Sequence, residues 1–420
     1  MLVEMQLINH WIYSKEIGFL RKLKLDASSF DKTTAPVVDY IYDFIRSYNA
    51  LPNHDTLKYE FELFNHYSED SLEPITSLVD RLKQKWAGEL ISPALIGCSK
   101  KIVDGSAIES LYLLKNEADK VLKTVNHSVK EYSWTKDAVE RYDLYMLRHG
   151  KEGLMGMATG LDTFDKVSSG LLSDDMLLIT GRTGEGKSYV ASFIALNVWE
   201  DCVKAGLSSP VIYFSTEMSA ISVSNRLDTM KAHFPFTCLR EGKLENPEDY
   251  KEYLEGLEKK PSELLIYSEQ ENGGKAFTPD DIYAVVEDKK PALVVVDQLY
   301  DISDGTGERD IRRRIVNTSN AIRSINLNTK TPFILLAQSG RGAAKAAIKD
   351  SEATPELHDI QESDNPAQKA TRVITLRLTN NMMKLVVKKN RDSKKGDEMF
   401  YRIDFESGVW EETEKEAQTF

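Results

Sequence analysis

Residues 181–188 of the chain read Gly181-Arg182-Thr183-Gly184-Glu185-Gly186-Lys187-Ser188, which matches the phosphate-loop pattern G-x-x-x-x-G-K-[ST] at every fixed position. An apolar run precedes the loop at 176–180 and another follows it at 189–198, which predicts a strand, a glycine-rich loop and a helix. Backbone N–H groups of such a loop and helix N-terminus surround phosphates. We therefore predict a nucleoside triphosphate site rather than a chance glycine turn, with Lys187 on the β- and γ-phosphates and Ser188 on Mg²⁺.

The bulk composition limits the class of protein. With 420 residues, two to three domains are expected. No apolar run approaches the roughly 18 residues of a membrane span, and we expect no signal peptide. Three widely spaced cysteines, Cys98, Cys202 and Cys238, exclude a zinc ribbon and are typical of a reducing cytoplasm. The net charge of −12 does not indicate a nucleic acid partner, although a local basic strip can still bind phosphates.

The first part of the chain is predicted to be helical. Apolar residues recur every three or four positions in one segment that should end at Asn49, and further helices are expected after Asp55, over 75–86 and over 108–125. We interpret 1–130 as an all-α N-terminal domain for assembly or interaction.

Residues 131–157 form the predicted linker region. Trp134, Ala138, Tyr142 and Tyr145 make an amphipathic stripe there. An ordinary core helix and a docking helix for a neighbouring subunit both fit this stripe.

From 158 to 420 the pattern changes to alternating strands and helices, which predicts an α/β domain with a mainly parallel central sheet. The predicted strands are 176–180, 211–215, 264–267, 292–297 and 333–338, followed by 372–378, 384–389 and 399–405. The last three lie close together and are expected to pair antiparallel.

Three of these strands end in polar residues that suit phosphate chemistry. Asp297 ends a run of four apolar residues, as the acid that supports Mg²⁺ does in phosphate-loop proteins. Glu217 follows another strand and would face the γ-phosphate if that strand adjoins the phosphate-loop strand; a helix N-terminal Glu is the alternative. Gln338 ends a third strand and could bind the γ-phosphate or the attacking water, although a surface Gln remains open.

A basic run at 388–396 lies between two late strands and should form a hairpin turn. A solvated turn is the ordinary interpretation of such a run. The alternative is that Lys389 and Arg391, alternating on one face, reach the γ-phosphate of a neighbouring subunit as an arginine finger.

Several segments together resemble one family. The segments are 159–165 with Ser169-Gly170-Leu171, then 214–219 with Asn225-Arg226-Leu227, 239–244, 296–299, 337–341, 359–363 and 389–391. In order and without large gaps, they are similar to DnaB-type replicative helicases, a branch of the RecA-like phosphate-loop ATPases. The likeness covers about 158–410, and the helical front part is similar only in type and position.

The resemblance implies roles for the candidate residues. Loop residues 181–188 would bind ATP, Ser188 and Asp297 would hold Mg²⁺, and Glu217 would be the catalytic base. Gln338 would sense the γ-phosphate, while Lys389 and Arg391 would act in trans. The family forms hexameric rings that encircle one DNA strand, move 5′ to 3′ and unwind the replication fork. Primase and a helicase loader are implied partners, and the cytoplasm of a bacterium or a phage-infected host is the implied location.

The resemblance also places two DNA-binding loops, at 305–314 and about 359–365. Their candidate residues are Arg309, Arg312, Arg313 and Arg314 in the first loop and Gln361, Glu362, Ser363 and Asp364 in the second. Loop arginines and amides contact the phosphate backbone without regard to sequence, as a translocating motor requires. A solvated helix start is the alternative for the arginines.

Some positions depart from the family pattern. Gln361 stands where the family has Arg, Asp364 where it has Gly, and Asn390 where its finger has Gln. Such departures suit a divergent, phage-encoded member.

Two other functions share parts of this pattern with the ring helicase. A RecA-type recombinase has the same core, but the helical front domain and the Lys-x-Arg hairpin argue against it. A nucleotide-binding assembly protein with a decayed ATPase is disfavoured because Lys187, Ser188, Glu217 and Asp297 are all present.

Overall fold

The structure is a computed structural model that describes residues 2–23, 25, 27–125, 132–150, 153–340, 353–360, 364–391 and 394–414. The chain divides into two compact units, 1–142 and 143–420. Within the described ranges, no helix is both long and apolar enough to cross a membrane.

The first unit is helical, as predicted. Its helices are α1 (Leu2–Ser14), α2 (Phe19–Lys22), α3 (Ala35–Tyr48), α4 (His54–Glu60), α5 (Ile75–Val103) and α6 (Ala107–Val125). Trp11, Leu20 and Ile41 lie at the centre of its core. Helix α3 ends where expected, because Asn49 adopts a left-handed conformation with φ of 51° and its N–H binds the Ile45 carbonyl.

Helix α5 is longer than the sequence predicts. The prediction ended at 86, yet the helix continues through Pro93 to Val103. Its far half pairs with α6, where the Ser110 hydroxyl donates to the Cys98 carbonyl at 2.8 Å and the Cys98 thiol donates back to the Ser110 carbonyl. Packing between the two helices therefore overrides a local sequence that favours an earlier end.

The predicted linker stripe lies on and just before α7 (Ala138–Arg148). No residue of α7 is buried, and Trp134, Tyr142 and Tyr145 are all more than half exposed. Within the described chain, the interpretation of this stripe as an ordinary core helix is therefore wrong.

The second unit alternates strands and helices. Its strands are β1 (Met176–Gly181), β2 (Val211–Ser215), β3 (Leu264–Ser268), β4 (Leu293–Asp297), β5 (Phe333–Gln338), β6 (Arg372–Thr379), β7 (Met382–Asn390), β8 (Glu398–Asp404) and β9 (Val409–Thr413). Its helices are α8 (Asp162–Ser168), α9 (Lys187–Lys204), α10 (Ala220–Ala232), α11 (Phe236–Glu241), α12 (Pro247–Leu257), α13 (Pro279–Lys289), α14 (Ile311–Thr329) and α15 (Asn365–Lys369).

All nine strands form one sheet in the order β3-β2-β4-β5-β1-β6-β7-β8-β9. The pairs from β3 to β6 are parallel, and those from β6 to β9 are antiparallel. Buried apolar residues cover both faces of the parallel part, with α9 and α10 contributing to one face and α13 and α14 to the other. The predicted α/β class with a mainly parallel sheet is confirmed, as is the antiparallel pairing of the late strands.

Strand β9 is the one that the sequence prediction missed. It is a short edge strand, and none of its residues is buried. Without an apolar alternation, such a strand gives little signal.

The start of β6 is tied to the start of β1 by a buried ion pair. The Arg372 guanidinium, 2% exposed, lies 2.9 Å from an Asp175 carboxylate oxygen. It also donates to the Gly170 and Ser168 carbonyls. Because both charges are out of water, losing one leaves the other uncompensated.

We expect Arg372→Leu to lower the free energy of unfolding by about 3–5 kcal/mol, since Asp175 would keep a buried charge without its cation. Urea unfolding followed by circular dichroism measures the change. The control is Arg402→Leu, whose ion pair with Glu411 is largely exposed and should contribute under about 1 kcal/mol. Equal losses in the two variants would contradict this account.

Candidate functional site

The phosphate loop connects β1 to α9. Gly184 and Gly186 have φ values of +79° and +92°, which favour glycine. A Cβ on Gly186 would lie 2.8 Å from the Met383 Cε atom on β7. The positive φ therefore favours glycine at 186, and a larger residue would also have to displace the end of the Met383 side chain.

Lys187 is the first residue of α9 and is nearly buried. Its Nζ donates to the Arg182 carbonyl at 3.1 Å. Burial lowers the pKa of Lys187, and the charges of Asp297, Glu185 and Glu217 act in the opposite direction. The ammonium group therefore faces the acids of the site from inside the loop.

Asp297 ends β4 and is 6% exposed. The Tyr213 hydroxyl donates to its Oδ2 at 2.7 Å. Burial raises the pKa of Asp297, while the Tyr213 hydrogen bond, the nearby Ser188 hydroxyl and the Arg226 charge oppose the rise. The two residues predicted to hold a metal ion thus line one cavity.

Glu217 reaches the site by a different route from the one the sequence suggested. The condition that β2 adjoins β1 is not met, because β4 and β5 lie between them. Three hydrogen bonds of Thr216 connect the β2 end to the β4 end. Its N–H and its hydroxyl both donate to the Asp297 carbonyl, at 2.7 and 3.1 Å, and the hydroxyl accepts from the Gln298 N–H. This bridge brings Glu217 into the same cavity as Lys187.

The Glu217 carboxylate is held by Gln298, whose Nε2 donates to Oε1 at 2.6 Å. The pKa of Glu217 is raised, first by desolvation and then by the charges of Asp297 and Asp301. Lys187 and the Gln298 hydrogen bond act against the rise. A carboxylate with a raised pKa suits proton transfer near neutral pH.

Gln338 ends β5 beside the phosphate loop, in register with Gly181. Its Oε1 accepts a hydrogen bond from the Thr183 hydroxyl at 3.3 Å. Just beyond it, Ser339 forms a β-bridge with Ile360, and the Gly340 N–H donates to the Asp359 carbonyl at 2.5 Å. The end of β5 therefore contacts both the phosphate loop and the start of the second predicted DNA loop.

These side chains surround one cavity of about 350 Å³. Its lining consists of Thr183, Gly184, Gly186, Lys187, Ser188, Tyr189, Glu217, Met218, Arg226, Phe236, Asp297, Gln298, Gln338 and Phe405. The rings of Tyr189 and Phe405 pack edge to face at 4.6 Å between centroids.

Sequence reasoning missed Gln298, Tyr213 and Arg226 as members of the site. Gln298 directly follows Asp297, and Tyr213 carries a hydroxyl inside an apolar strand. A polar group in or beside such a strand was the available signal.

Lys389 and Arg391 lie near the level where the parallel strands begin, whereas the phosphate loop follows the end of β1. Lys389 is near the end of β7, and its Nζ donates to the Ala367 carbonyl at 2.8 Å and to the Gln368 carbonyl at 3.1 Å. Arg391 follows β7 and is exposed. The pKa of Lys389 is lowered by burial and by the charges of Arg391 and Arg323.

The arginine-rich candidate loop is only partly a loop. Asp310 caps α14 by accepting from the Arg313 N–H at 3.1 Å, so the loop ends at Asp310 rather than at 314. Arg312, Arg313 and Arg314 lie in the first helical turn, where Arg314 donates to the Tyr300 carbonyl. Local structure therefore matches the helix-start alternative, while Arg309 stays in the loop.

The second candidate DNA loop is described only at its ends. Asp359 closes a 3₁₀ turn (Leu357–Asp359) and Asp364 immediately precedes α15. Gln361, Glu362 and Ser363 lie outside the described residues.

The sheet, the phosphate loop and the acid at the end of β4 define a RecA-like phosphate-loop ATPase domain. Residues 156–407 match the model of the DnaB-like helicase C-terminal domain family. The chain belongs to this family.

Curated relatives agree. The chain is 25% identical over 281 residues to the replicative DNA helicase DnaB of Geobacillus stearothermophilus, covering 63% of this chain and 59% of that protein. It is 26% identical over 272 residues to the replicative DNA helicase DnaC of Bacillus subtilis, covering 63% and 57%. The match therefore spans less than two thirds of the length of these relatives. RecA-type recombination is not favoured by these likenesses.

Solved structures show the same fold. One, described as a DnaB-like replicative helicase and its interactions with primase, has a TM-score of 0.68 at 14% identity and covers 98% of this chain and 99% of that one. A second, the structure of an ATPase domain alone, has a TM-score of 0.58 at 16% identity, covering 67% of this chain and 100% of that domain.

We expect the pKa of Glu217 to respond in opposite directions to its two neighbours. Gln298→Ala should raise the pKa further, because it removes a hydrogen bond to the charged form, and Asp301→Asn should lower it, because it removes a like charge. Titration of ¹³C-labelled carboxyl groups by NMR, with Glu217→Gln to assign the signal, measures both shifts. Shifts of the same sign in the two variants would refute this electrostatic account.

Proposed function

We propose that this protein is an ATP-driven replicative DNA helicase that acts as a hexameric ring and moves 5′ to 3′ on single-stranded DNA. The observation that carries the proposal is the placement of the cationic pair Lys389 and Arg391 at the sheet edge opposite the phosphate loop. Family membership supports the same activity.

The distance between the two edges follows from strand register. The Arg391 N–H donates to the Thr371 carbonyl, and the Thr371 N–H donates to the Met176 carbonyl, so Arg391 lies level with the first residue of β1. The phosphate loop begins at the other end of that strand, at Gly181. At about 3.3 Å per residue the two levels are roughly 16 Å apart. An arginine placed this way suits the nucleotide of an adjacent subunit rather than its own.

Two residues of the cavity suit a magnesium ion. The Ser188 hydroxyl at the start of α9 and the Asp297 carboxylate at the end of β4 line the same cavity, and oxygen donors of this kind are the ones that Mg²⁺ prefers. A bound Mg²⁺ would neutralise charge on the β- and γ-phosphates. Tyr213 would keep the Asp297 carboxylate oriented by its hydrogen bond to Oδ2.

In the proposed hydrolysis, Glu217 orients the attacking water and accepts its proton. Gln298 fixes the carboxylate from one side, and the raised pKa of Glu217 favours proton uptake. Lys187 contributes positive charge where the transferred phosphoryl group develops negative charge.

Coupling to DNA would run through the end of β5. Gln338 contacts Thr183 of the phosphate loop, and the next two residues contact Asp359 and Ile360. A change in how Gln338 meets the γ-phosphate would therefore reach the second candidate DNA loop through backbone hydrogen bonds.

The remaining partners belong to the same proposal. The exposed stripe of α7 would dock on a neighbouring subunit, and the helical first unit would serve assembly and a primase or loader. A cytoplasmic location, in a bacterial cell or a phage-infected host, completes it.

We expect the protein to unwind a forked DNA that carries a 5′ single-stranded tail, with ATP and Mg²⁺, and not a fork with only a 3′ tail. Lys187→Ala should abolish unwinding, because the loop loses the cation that contacts the phosphates. A strand-displacement assay measures this. Unwinding that persists in Lys187→Ala, or that prefers the 3′ tail, would overturn the proposal.

Arg391→Ala should assemble and bind ATP normally yet hydrolyse it slowly, by about 10³-fold if the finger works as in other phosphate-loop ATPases. Mixed with Lys187→Ala, it should regain part of its activity, because an intact loop then meets an intact finger across a subunit boundary. Steady-state phosphate release at several mixing ratios tests this. Normal turnover of Arg391→Ala alone would remove the finger from the model.

A further inference from the structure

The phosphate loop contains a glutamate, Glu185, whose negative charge has the same sign as the triphosphate that the loop is expected to bind. Glu185 is 8% exposed. Its Oε2 accepts from the Arg182 N–H at 2.9 Å. Its Oε1 lies 2.5 Å from Nη1 of Arg377. One carboxylate therefore both shapes the loop backbone and pairs with a partly buried cation.

Strand register explains how Arg377 reaches the loop. Strand β6 runs parallel to β1, with Thr375 opposite Thr180. Two residues further along, Arg377 is level with the first loop residues. The cation thus comes from a neighbouring strand rather than from the loop itself.

The negative charge of Glu185 acts on other groups of the phosphate site. It is one of the acids that act on the pKa of Lys187, the cation expected to contact the phosphates. Because Glu185 is nearly buried, water would screen its uncompensated charge only weakly, and that charge would repel a triphosphate. Arg377 offsets that repulsion.

We propose that Glu185 and Arg377 form a positioning pair for the nucleotide. Glu185 fixes the loop by accepting from the Arg182 N–H, and Arg377 neutralises the negative charge that Glu185 brings into the phosphate site. The inference rests on the proposed nucleotide site at 181–188. It predicts that affinity follows the net charge of the pair rather than the presence of either side chain.

This account differs from two others in one measurable respect. If Arg377 contacted the phosphates directly, its loss would weaken binding whatever stands at 185. If the pair only stabilised the fold, each single variant would weaken binding together with folding. Of the three accounts, only charge neutralisation predicts that removing the Glu185 charge restores the nucleotide affinity that is lost when Arg377 is replaced.

The test is a double-mutant cycle on the full chain, with isothermal titration calorimetry of Mg²⁺ with a non-hydrolysable ATP analogue. Arg377→Met should weaken binding on the order of tenfold, and Glu185→Gln, which keeps an acceptor for the Arg182 N–H, should tighten it about threefold. The double variant should return to within about threefold of the wild type. Arg377→Lys, which keeps the charge, should bind nearly as the wild type does.

The exposed pair on β8 and β9 provides a matched control. Arg402→Met, Glu411→Gln and their double variant remove the same charges, yet Arg402 and Glu411 are 62% and 57% exposed. They should leave nucleotide affinity unchanged. Thermal melting of every variant separates loss of binding from loss of folding.

A double variant as weak as Arg377→Met would overturn the proposal, and so would wild-type affinity in Arg377→Met. Failure of the nucleotide site itself has a different signature. In that case Lys187→Ala would bind the analogue as tightly as the wild type, whereas a failed inference leaves Lys187→Ala defective.

Discussion

The short link between the ends of β2 and β4 is the contact on which the site depends. The Thr216 N–H donates to the Asp297 carbonyl, and the Thr216 hydroxyl accepts from the Gln298 N–H. The Tyr213 hydroxyl donates to the Asp297 carboxylate. These bonds place Glu217 opposite Lys187, although two strands separate β2 from β1. Without them, Glu217 would extend from a strand end that has no direct contact with the phosphate loop.

Much of the fold could be predicted from the sequence because the signals were local. The phosphate loop is a contiguous pattern, and the parallel strands are apolar runs that end in recognisable polar residues. The length of α5 and the existence of β9 could not be predicted in this way. Packing against α6 extends the helix past Pro93, and β9 is a short edge strand without buried residues or alternation.

The site shows the same division. Lys187, Ser188 and Asp297 could be identified from pattern and position, but the arrangement around Glu217 depends on sheet order, which one sequence does not reveal. Strands β2 and β1 are not adjacent, which the placement of Glu217 was expected to require, yet Glu217 lies in the cavity. Gln298 was missed because its signal, an amide directly after the acid at a strand end, is weak. The arginines at 312–314 show the converse case, since a single cap at Asp310 moves them from a loop into a helix.

The reversal of direction at β7 has a consequence for control of the enzyme. Each chain carries its phosphate loop at one end of the parallel strands and its arginine finger at the other. It therefore contributes the loop to one reaction centre and the finger to a second, each completed by a neighbouring subunit. Under the proposed function, the rate of ATP hydrolysis would be proportional to the number of assembled subunit interfaces rather than to the total number of chains. Free subunits would then leave the cell's nucleotide pool untouched until a ring had formed.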